Sequence, residues 1–372
     1  MKSWHYAGAG LTALAVVAAL SLSGGCRKQD GKVDAKVKVG VLTPLSGEAS
    51  AYGTYTRQGL ELALTEIEDP PFELVYKDTK ADPLEAVRVF KELAREGVPV
   101  VVGPFTSTEV RQVGPDAMRT KTALITSSAT ADDLSKLGDY VFMMLPPNSQ
   151  QGADQARFAL DALKVKRAGI LYRQNPYGET LRAAFTKTFK EGGGEVVADV
   201  GFADGEENFR DRLKEIAKAK PDILFAPAHD ADTGRILRQA REVNLPKDVR
   251  VLGCDGSMSP TMLELAGEAA EGAIFSNVAS VSKEFDEAYR KAHDKEPNPY
   301  AASSYDSLKI LYQLMKQGAR SGSDFQKALK GMEKFEGTTG PTKFTLVDKS
   351  YWALSKTYRQ FEVKKGKFEL RR

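Results

Sequence analysis

The hydroxyl side chains of Thr106, Ser107, Ser128 and Thr130 follow directly on two short apolar runs, residues 98–102 and 123–126. Small hydroxyl residues at the end of a strand, beside the start of a helix, are suited to holding a carboxylate or phosphate. Unpaired backbone N–H groups point the same way there, and the helix dipole favours negative charge. Ser107 reads as the N-cap of the helix that follows, with Thr108 and Glu109 in its first turn. The plainer alternative is that Ser107 only caps its helix and that Ser128 and Thr130 only form a turn. A second group able to do chemistry is Cys254-Asp255-Gly256. A thiol beside a carboxylate needs a base before it becomes a nucleophile, and the sequence places no histidine for it, so a buried, inert cysteine is the simpler reading. Asp-Gly at a strand end serves as a turn about as readily as a ligand contact.

The chain lacks the other markers of catalysis. It has no G-x-S-x-G elbow, no P-loop and no dinucleotide fingerprint after a strand, and Gly8-Ala9-Gly10 falls inside an apolar leader. With 3 histidines and 2 cysteines, an ordinary metal site has little to draw on. The expectation is a protein that is not an enzyme and takes neither metal nor cofactor.

The elements that must position these residues alternate regularly. Residues 37–42 read as a buried strand, 55–67 as a helix, 72–76 as a strand and 83–95 as a helix opened by Pro83. The runs at 98–102 and 123–126, separated by an amphipathic segment, make a strand, crossover helix and parallel strand. A strand at 140–145 then meets Pro146-Pro147, where no helix or central strand continues, and this reads as a passage between two lobes. A second series follows, with helices at 151–163, 180–191, 209–219 and 233–243 and strands at 168–172, 195–202, 222–226 and 249–253. The pattern calls for an α/β protein: two doubly wound parallel-sheet lobes with helices on both faces of each sheet. Residues 272–276 read as a strand near a return to the first lobe, 358–363 with Phe368 as a terminal hairpin. The expected partition is 37–147 with 277–348 for lobe 1, and 148–276 with 349–372 for lobe 2. In an open α/β sheet, ligands lie beyond the carboxyl ends of the strands, where Thr106, Ser107, Ser128 and Thr130 stand.

Lys2, the apolar core at 11–20 and Leu22-Ser23-Gly24-Gly25-Cys26 make a secretory leader too short to span a bilayer. The run of small residues into Cys26 resembles a lipoprotein signal, which implies a leader at 1–25 and a lipidated Cys26. An ordinary cleaved signal with a chance cysteine is the alternative. Residues 26–36 then form a charged tether. Lys plus Arg total 53 against 50 Asp plus Glu, which gives no reason to expect nucleic acid as a partner. Cys254 is the only cysteine beyond Cys26, so the mature fold has no intrachain disulfide.

Nearly the whole mature chain resembles the Leu/Ile/Val-binding family of type I periplasmic binding proteins, which serve ABC importers. The carrying pieces are residues 37–47 (VKVGVLTPLSG) with Tyr52-Gly53, Asp82-Pro83, Val101-Val102-Gly103-Pro104 and Tyr177-Gly178-Glu179. They continue with Leu237-Arg238-Gln239-Ala240-Arg241, Ala270-Glu271-Gly272, Pro299-Tyr300 and Tyr305-Asp306. The resemblance implies two lobes joined by a three-crossing hinge, with the ligand cleft between them. It implies that Ser107 holds the α-carboxylate of an amino acid, and that Ser128 and Thr130 hold both charged groups through a carbonyl and a hydroxyl. Asp255 would face the α-ammonium. A zwitterion taken from water needs its anion met by donors and its cation by a carboxylate, or desolvation wins.

By the same resemblance Tyr52, Phe105, Tyr177 and Tyr300 line the cleft, each otherwise readable as ordinary core. His229 stands where relatives often carry tyrosine, either tuning the pocket or serving as a structural histidine. Where many relatives carry an arginine before the crossing, this chain has Met143-Met144-Leu145. The implied partners are a small zwitterionic amino acid, branched-chain or related aliphatic, and the membrane subunits of an ABC permease. Attachment to the envelope would be through the lipid anchor, in the periplasm or an equivalent extracytoplasmic space, as a monomer. The same fold binding an amide, urea, a short peptide or an aromatic acid, or acting as a ligand sensor, is the alternative.

Overall fold

The computed structural model describes residues 36–279 and 282–371. The leader, Cys26 and the tether as far as Ala35 lie outside the described residues. The first strands are β1 (Val37–Thr43), β2 (Phe72–Asp78), β3 (Val100–Val102), β4 (Ala123–Thr126) and β5 (Val141–Met143). Those of the second series are β6 (Arg167–Arg173), β7 (Glu195–Phe202), β8 (Ile223–Phe225), β9 (Arg250–Gly253) and β10 (Ile274–Val278). The C-terminal region adds β11 (Phe335–Gly337), β12 (Gly340–Thr342), β13 (Phe344–Val347), β14 (Ser350–Ala353), β15 (Tyr358–Lys364) and β16 (Lys367–Leu370). Helices α1 (Ser50–Thr65), α2 (Pro83–Arg95) and α3 (Ser107–Thr120) alternate with the first strands. Then come α4 (Asn148–Arg157), α5 (Pro176–Glu191), α6 (Arg210–Lys218), α7 (Asp230–Glu242) and α8 (Pro260–Ala266), followed by α9 (Lys283–His293), α10 (Pro299–Lys316) and α11 (Gly322–Gly331).

Two seven-stranded sheets result, ordered β13-β14-β5-β4-β3-β1-β2 and β16-β15-β10-β9-β8-β6-β7. The strands β1 to β5 and β6 to β10 pair in parallel within their sheets, and hairpins finish one edge of each. The central strands are short apolar runs because both faces are covered. Alternation along them decides which helix layer each residue meets. Val39, Val41, Val100 and Val102 pack with Leu60 of α1 and Leu308 of α10, while Leu42, Val101 and Leu124 pack with Phe90 of α2 and Val113 of α3. In the second sheet Ile170, Phe225 and Leu252 join Phe185 of α5, and Leu171, Leu224 and Val251 join Ile236 of α7.

Strand pairing moves two expected boundaries. Val278 ends β10 inside the second sheet, beside β9 and β15, so the return to the first lobe follows it rather than preceding residue 277. Ser350–Ala353 was expected in lobe 2, but Tyr351 and Trp352 pair in parallel with Phe142 and Met143 of β5. The last passage therefore falls at residues 354–357. Local sequence could not decide this, because an edge strand's apolar pattern fits either sheet.

The turn after β3 depends on one glycine. Gly103 has φ +100°, and a Cβ there would lie 2.0 Å from the Leu42 carbonyl oxygen. Gly103→Ala is expected to cost roughly 2–3 kcal/mol, through strain and forced separation of β1 from the turn. Urea unfolding of the two chains measures it, and an unchanged midpoint would contradict the close approach.

Candidate functional site

The turn after β3 leads into α3, whose true N-cap is Thr106. Its hydroxyl accepts from the Glu109 N–H at 3.2 Å, and the Glu109 carboxyl accepts from the Thr106 N–H at 2.8 Å. This reciprocal box corrects the expectation that Ser107 caps the helix. Ser107 stands one residue inside, and its Oγ accepts from the N–H groups of Thr130 and Ala131, both at 3.2 Å. The Ser128 hydroxyl donates to the Phe105 carbonyl at 2.6 Å. The Thr130 hydroxyl is buried without a partner. The loops after β3 and β4 are thus stitched into one polar wall that keeps a hydroxyl in hand. An unpaired buried hydroxyl is costly, which gives it a physical reason to meet a ligand.

Above that wall sit aromatic rings of the first lobe. Tyr52, near the start of α1, stacks on Phe105 with ring centres 4.6 Å apart, and Tyr300, at the start of α10, meets Phe105 edge-on at 5.0 Å. All three are nearly fully buried. Asparagine and proline at the head of α10 fix Tyr300: Asn298 caps the helix and Pro299 is its first residue.

The opposing wall comes from the second lobe. Asp255 follows β9 and is 1% exposed. The Tyr177 hydroxyl donates to its Oδ1 at 2.7 Å, and the Tyr300 hydroxyl reaches from the first lobe to its Oδ2 at 3.3 Å. Tyr177 also accepts from the Gly256 N–H at 2.9 Å and stacks on His229, ring centres 5.0 Å apart. Tyr52 closes the group from the other side, donating its hydroxyl to the Gly256 carbonyl and accepting from the Asp230 N–H at 3.2 Å. Tyr52, Phe105, Ser107, Ser128, Thr130, Tyr177, His229, Asp255 and Tyr300 therefore belong to two facing walls linked by direct bonds.

Burial pushes the Asp255 carboxyl above the usual range, while the bonds from Tyr177, Gln151, Gly256 and Tyr300 pull it back toward ionisation. His229 is only half-buried by exposed surface, yet enough protein surrounds the ring that its pKa is pushed down to about 3, with Arg173 adding to the effect. It is neutral at physiological pH. Burial, and secondarily Asp255, raises the Cys254 thiol. That removes the thiolate a nucleophile needs.

Beside Tyr52 and His229 lies a cavity of about 380 Å³, lined also by Thr106, Asp230, Arg173 and Arg235. Arg173 bridges Asp204 and Asp232, and Arg235 joins Glu48 of the first lobe to Glu207 of the second. Asp230 escaped the sequence reading, although its place directly after the β8 turn was a usable signal. Gln151 escaped it too, since a polar residue on a helix reads as a solvated face. Among the described residues, no cluster of His, Cys, Asp or Glu could hold a metal ion. No described helix is long and apolar enough to cross a membrane.

Two α/β lobes whose polar walls face each other across such a group define a solute-binding protein. A family model for periplasmic binding proteins matches residues 36–367, and the chain belongs to that family. It is 29% identical over 272 residues to the Leu/Ile/Val/Thr-binding protein of Salmonella typhimurium, covering 71% of this chain and 72% of that protein. The branched-chain amino acid substrate-binding protein LivJ of Streptococcus pneumoniae, solved with isoleucine, superposes with a TM-score of 0.82. Its identity is 29%, over 90% of this chain and 98% of that one. A solute-binding protein of R. palustris solved with benzoate shares the fold, with a TM-score of 0.80 at 22% identity, over 90% and 95% of the two chains.

Proposed function

We propose that this chain is the extracytoplasmic solute-binding component of an ABC importer and captures an aliphatic amino acid. The observation that carries this reading is the division of charge-binding groups between the walls. Ser107 at the start of α3 and Ser128 and the unpaired Thr130 hydroxyl in the loop after β4 form one wall, and the buried Asp255 carboxylate stands opposite. An α-carboxylate suits the first wall and an α-ammonium the second. Tyr52, Phe105 and Tyr300 supply an apolar surface for the side chain, and neutral His229 supplies a polar edge. Ligand that touches both walls favours the closed arrangement, which a permease then recognises. Cys26 is the lipidated residue that holds the protein at a membrane, and Cys26→Ser should release it into the soluble fraction.

A second reading, the same fold taking an aromatic acid, draws support from the Tyr52–Phe105–Tyr300 cluster, which could stack on a ring. It leaves Asp255 facing no cation, a costly state for a buried carboxylate. A thermal-shift screen of the chain from Arg27 onward separates the two. Ligand at about a hundred times its Kd adds about 2.7 kcal/mol, an upward shift of several degrees. Leucine, isoleucine or valine should give that shift; benzoate alone giving it would overturn the amino-acid reading.

A further inference from the structure

The ring of His229 is fixed by its surroundings. It stacks on Tyr177 with centres 5.0 Å apart and planes 15° from parallel. A Cβ at Gly256 would lie 3.2 Å from His229 Nδ1 and 2.8 Å from the Tyr177 hydroxyl, so the imidazole packs directly over the residue that follows Asp255. The backbone is held as well. His229 is the N-cap of α7, its carbonyl accepts from the Thr233 N–H at 2.9 Å, and the neighbouring Asp230 N–H donates to the Tyr52 hydroxyl at 3.2 Å. Among the described residues, neither ring nitrogen of His229 has a hydrogen-bond partner. A neutral imidazole carries one N–H donor and one acceptor, and both are open here.

The cavity of about 380 Å³ that His229 lines falls within the size range of small-molecule sites. Two more neutral polar groups line it without a protein partner among the described residues. One is the Thr108 hydroxyl, in the first turn of α3. The other is the Asn175 NH₂, whose amide oxygen is occupied in capping α5 at the Gly178 N–H, 2.9 Å away. The arginines and Asp230 of the same cavity already have partners. Arg173 and Arg235 each sit between two carboxylates, and Asp230 accepts from the Ser259 hydroxyl and the Ala231 N–H, both at 2.9 Å. Lys80 is exposed to solvent. The buried part of the cavity thus keeps neutral donors and acceptors open, and a purely aliphatic chain filling it would leave them unpaired.

Building on the amino-acid reading, we propose that His229 is a specificity-determining residue of that site, and that the cavity it lines accepts a ligand side chain ending in a hydroxyl or carboxamide. The charged groups of the amino acid stay with the Ser107 and Asp255 walls. The first carbons of its side chain lie along Tyr52, and the polar end meets the imidazole edge, with Asn175 and Thr108 on the same cavity. The stack on Tyr177 and the α7 cap hold the ring in place, so the new hydrogen bond costs little further ordering. Threonine and asparagine make a bond that valine and leucine, of the same shape, cannot make.

The test is calorimetry on the full soluble chain with two pairs of equal shape, valine with threonine and leucine with asparagine, and with aspartate. Wild type is compared with His229→Phe, which keeps the stack on Tyr177 and removes the hydrogen bond, and with His229→Gln, which restores a donor and an acceptor. An apolar pocket prefers valine to threonine by about 100-fold. Here the aliphatic preference should be under about tenfold in each pair, or reversed. His229→Phe should raise it at least about tenfold by weakening threonine and asparagine, with valine and leucine changed less than about threefold, and His229→Gln should recover part of the loss. An equal loss for all four ligands, as a structural histidine gives, or no loss at all, overturns the proposal. Aspartate binding more tightly than asparagine also overturns it, since charge would then be what the cavity selects. If the phenylalanine chain does not fold, the wild-type preferences decide: about tenfold or more for the aliphatic member of both pairs overturns the proposal. Each of these failures leaves the amino-acid reading standing. A wild-type chain that binds none of the five ligands overturns that reading, and the proposal with it.

Discussion

Asp255→Asn is expected to weaken amino-acid binding by roughly 30- to 5,000-fold, the 2–5 kcal/mol typical of removing one member of a buried charge pair. The substitution keeps size and most hydrogen bonding, so the Tyr177 and Tyr300 hydroxyls retain a partner at 2.7 and 3.3 Å and the fold should survive. Calorimetry with leucine, alongside a melting curve of each chain, measures the effect. Equal affinity in the two chains would remove Asp255 from the ligand site. The same carboxylate sets a pH dependence. Burial raises its pKa, so acidification protonates it before an ordinary aspartate, and the ammonium then loses its counter-charge. Affinity should fall by about tenfold per pH unit below that pKa and level off above it. Asp255→Asn should flatten that acid limb.

Asp306→Leu is expected to cost about 3–5 kcal/mol of stability, the scale for uncovering one member of a buried ionic network. Asp306 is fully buried on α10. It accepts from the N–H groups of Thr338 and Thr339 at 2.7 and 3.0 Å and from the Thr339 hydroxyl at 2.6 Å. The Lys356 ammonium, 2% exposed in the passage from β14 to β15, donates to that same hydroxyl at 2.6 Å. Leucine would leave two N–H groups and a buried cation uncovered. Urea unfolding at neutral pH measures the loss; a change under 1 kcal/mol would mean that the network is dispensable. Lys356 adds a pH signature. Burial pushes its pKa down to about 8, with Asp306 only partly restoring it, whereas the unfolded lysine keeps its proton to about 10.5. Between these values the unfolded state binds more protons, so this group makes stability rise with pH above about 8. Lys356→Met should abolish that rise.

Much of the architecture was legible before any coordinates, because helix and strand periodicities are local. The apolar runs at 98–102 and 123–126 had to be covered strands, and the proline pair at 146–147 had to end an element. Ser107, Ser128 and Thr130 stood out at strand ends from spacing alone, but the roles assigned to them and to Asp255 came only through resemblance. A hydroxyl at a strand end looks the same whether it turns the chain or meets a ligand. Which residue caps α3 turned on the side chain of Glu109 reaching Thr106 rather than Ser107. That choice depends on how the strand delivers the turn, and it changes Ser107 from a cap into a tie between two loops.

By itself, the sequence determined the alternation of strands and helices, the two-lobed partition in outline, and the scarcity of metal-binding and catalytic side chains. The tertiary structure alone decided that β14 joins the first sheet, that Tyr300 reaches Asp255 across the lobes, and that Gln151 and Lys356 are buried rather than solvated. The physical reason is range. Periodicity is enforced between residues a few positions apart, whereas a buried polar group is satisfied by whichever partner folding brings within about 3 Å. For Lys356 the partner Thr339 is 17 residues away, and for Gln151 the partner Ser276 is 125 residues away.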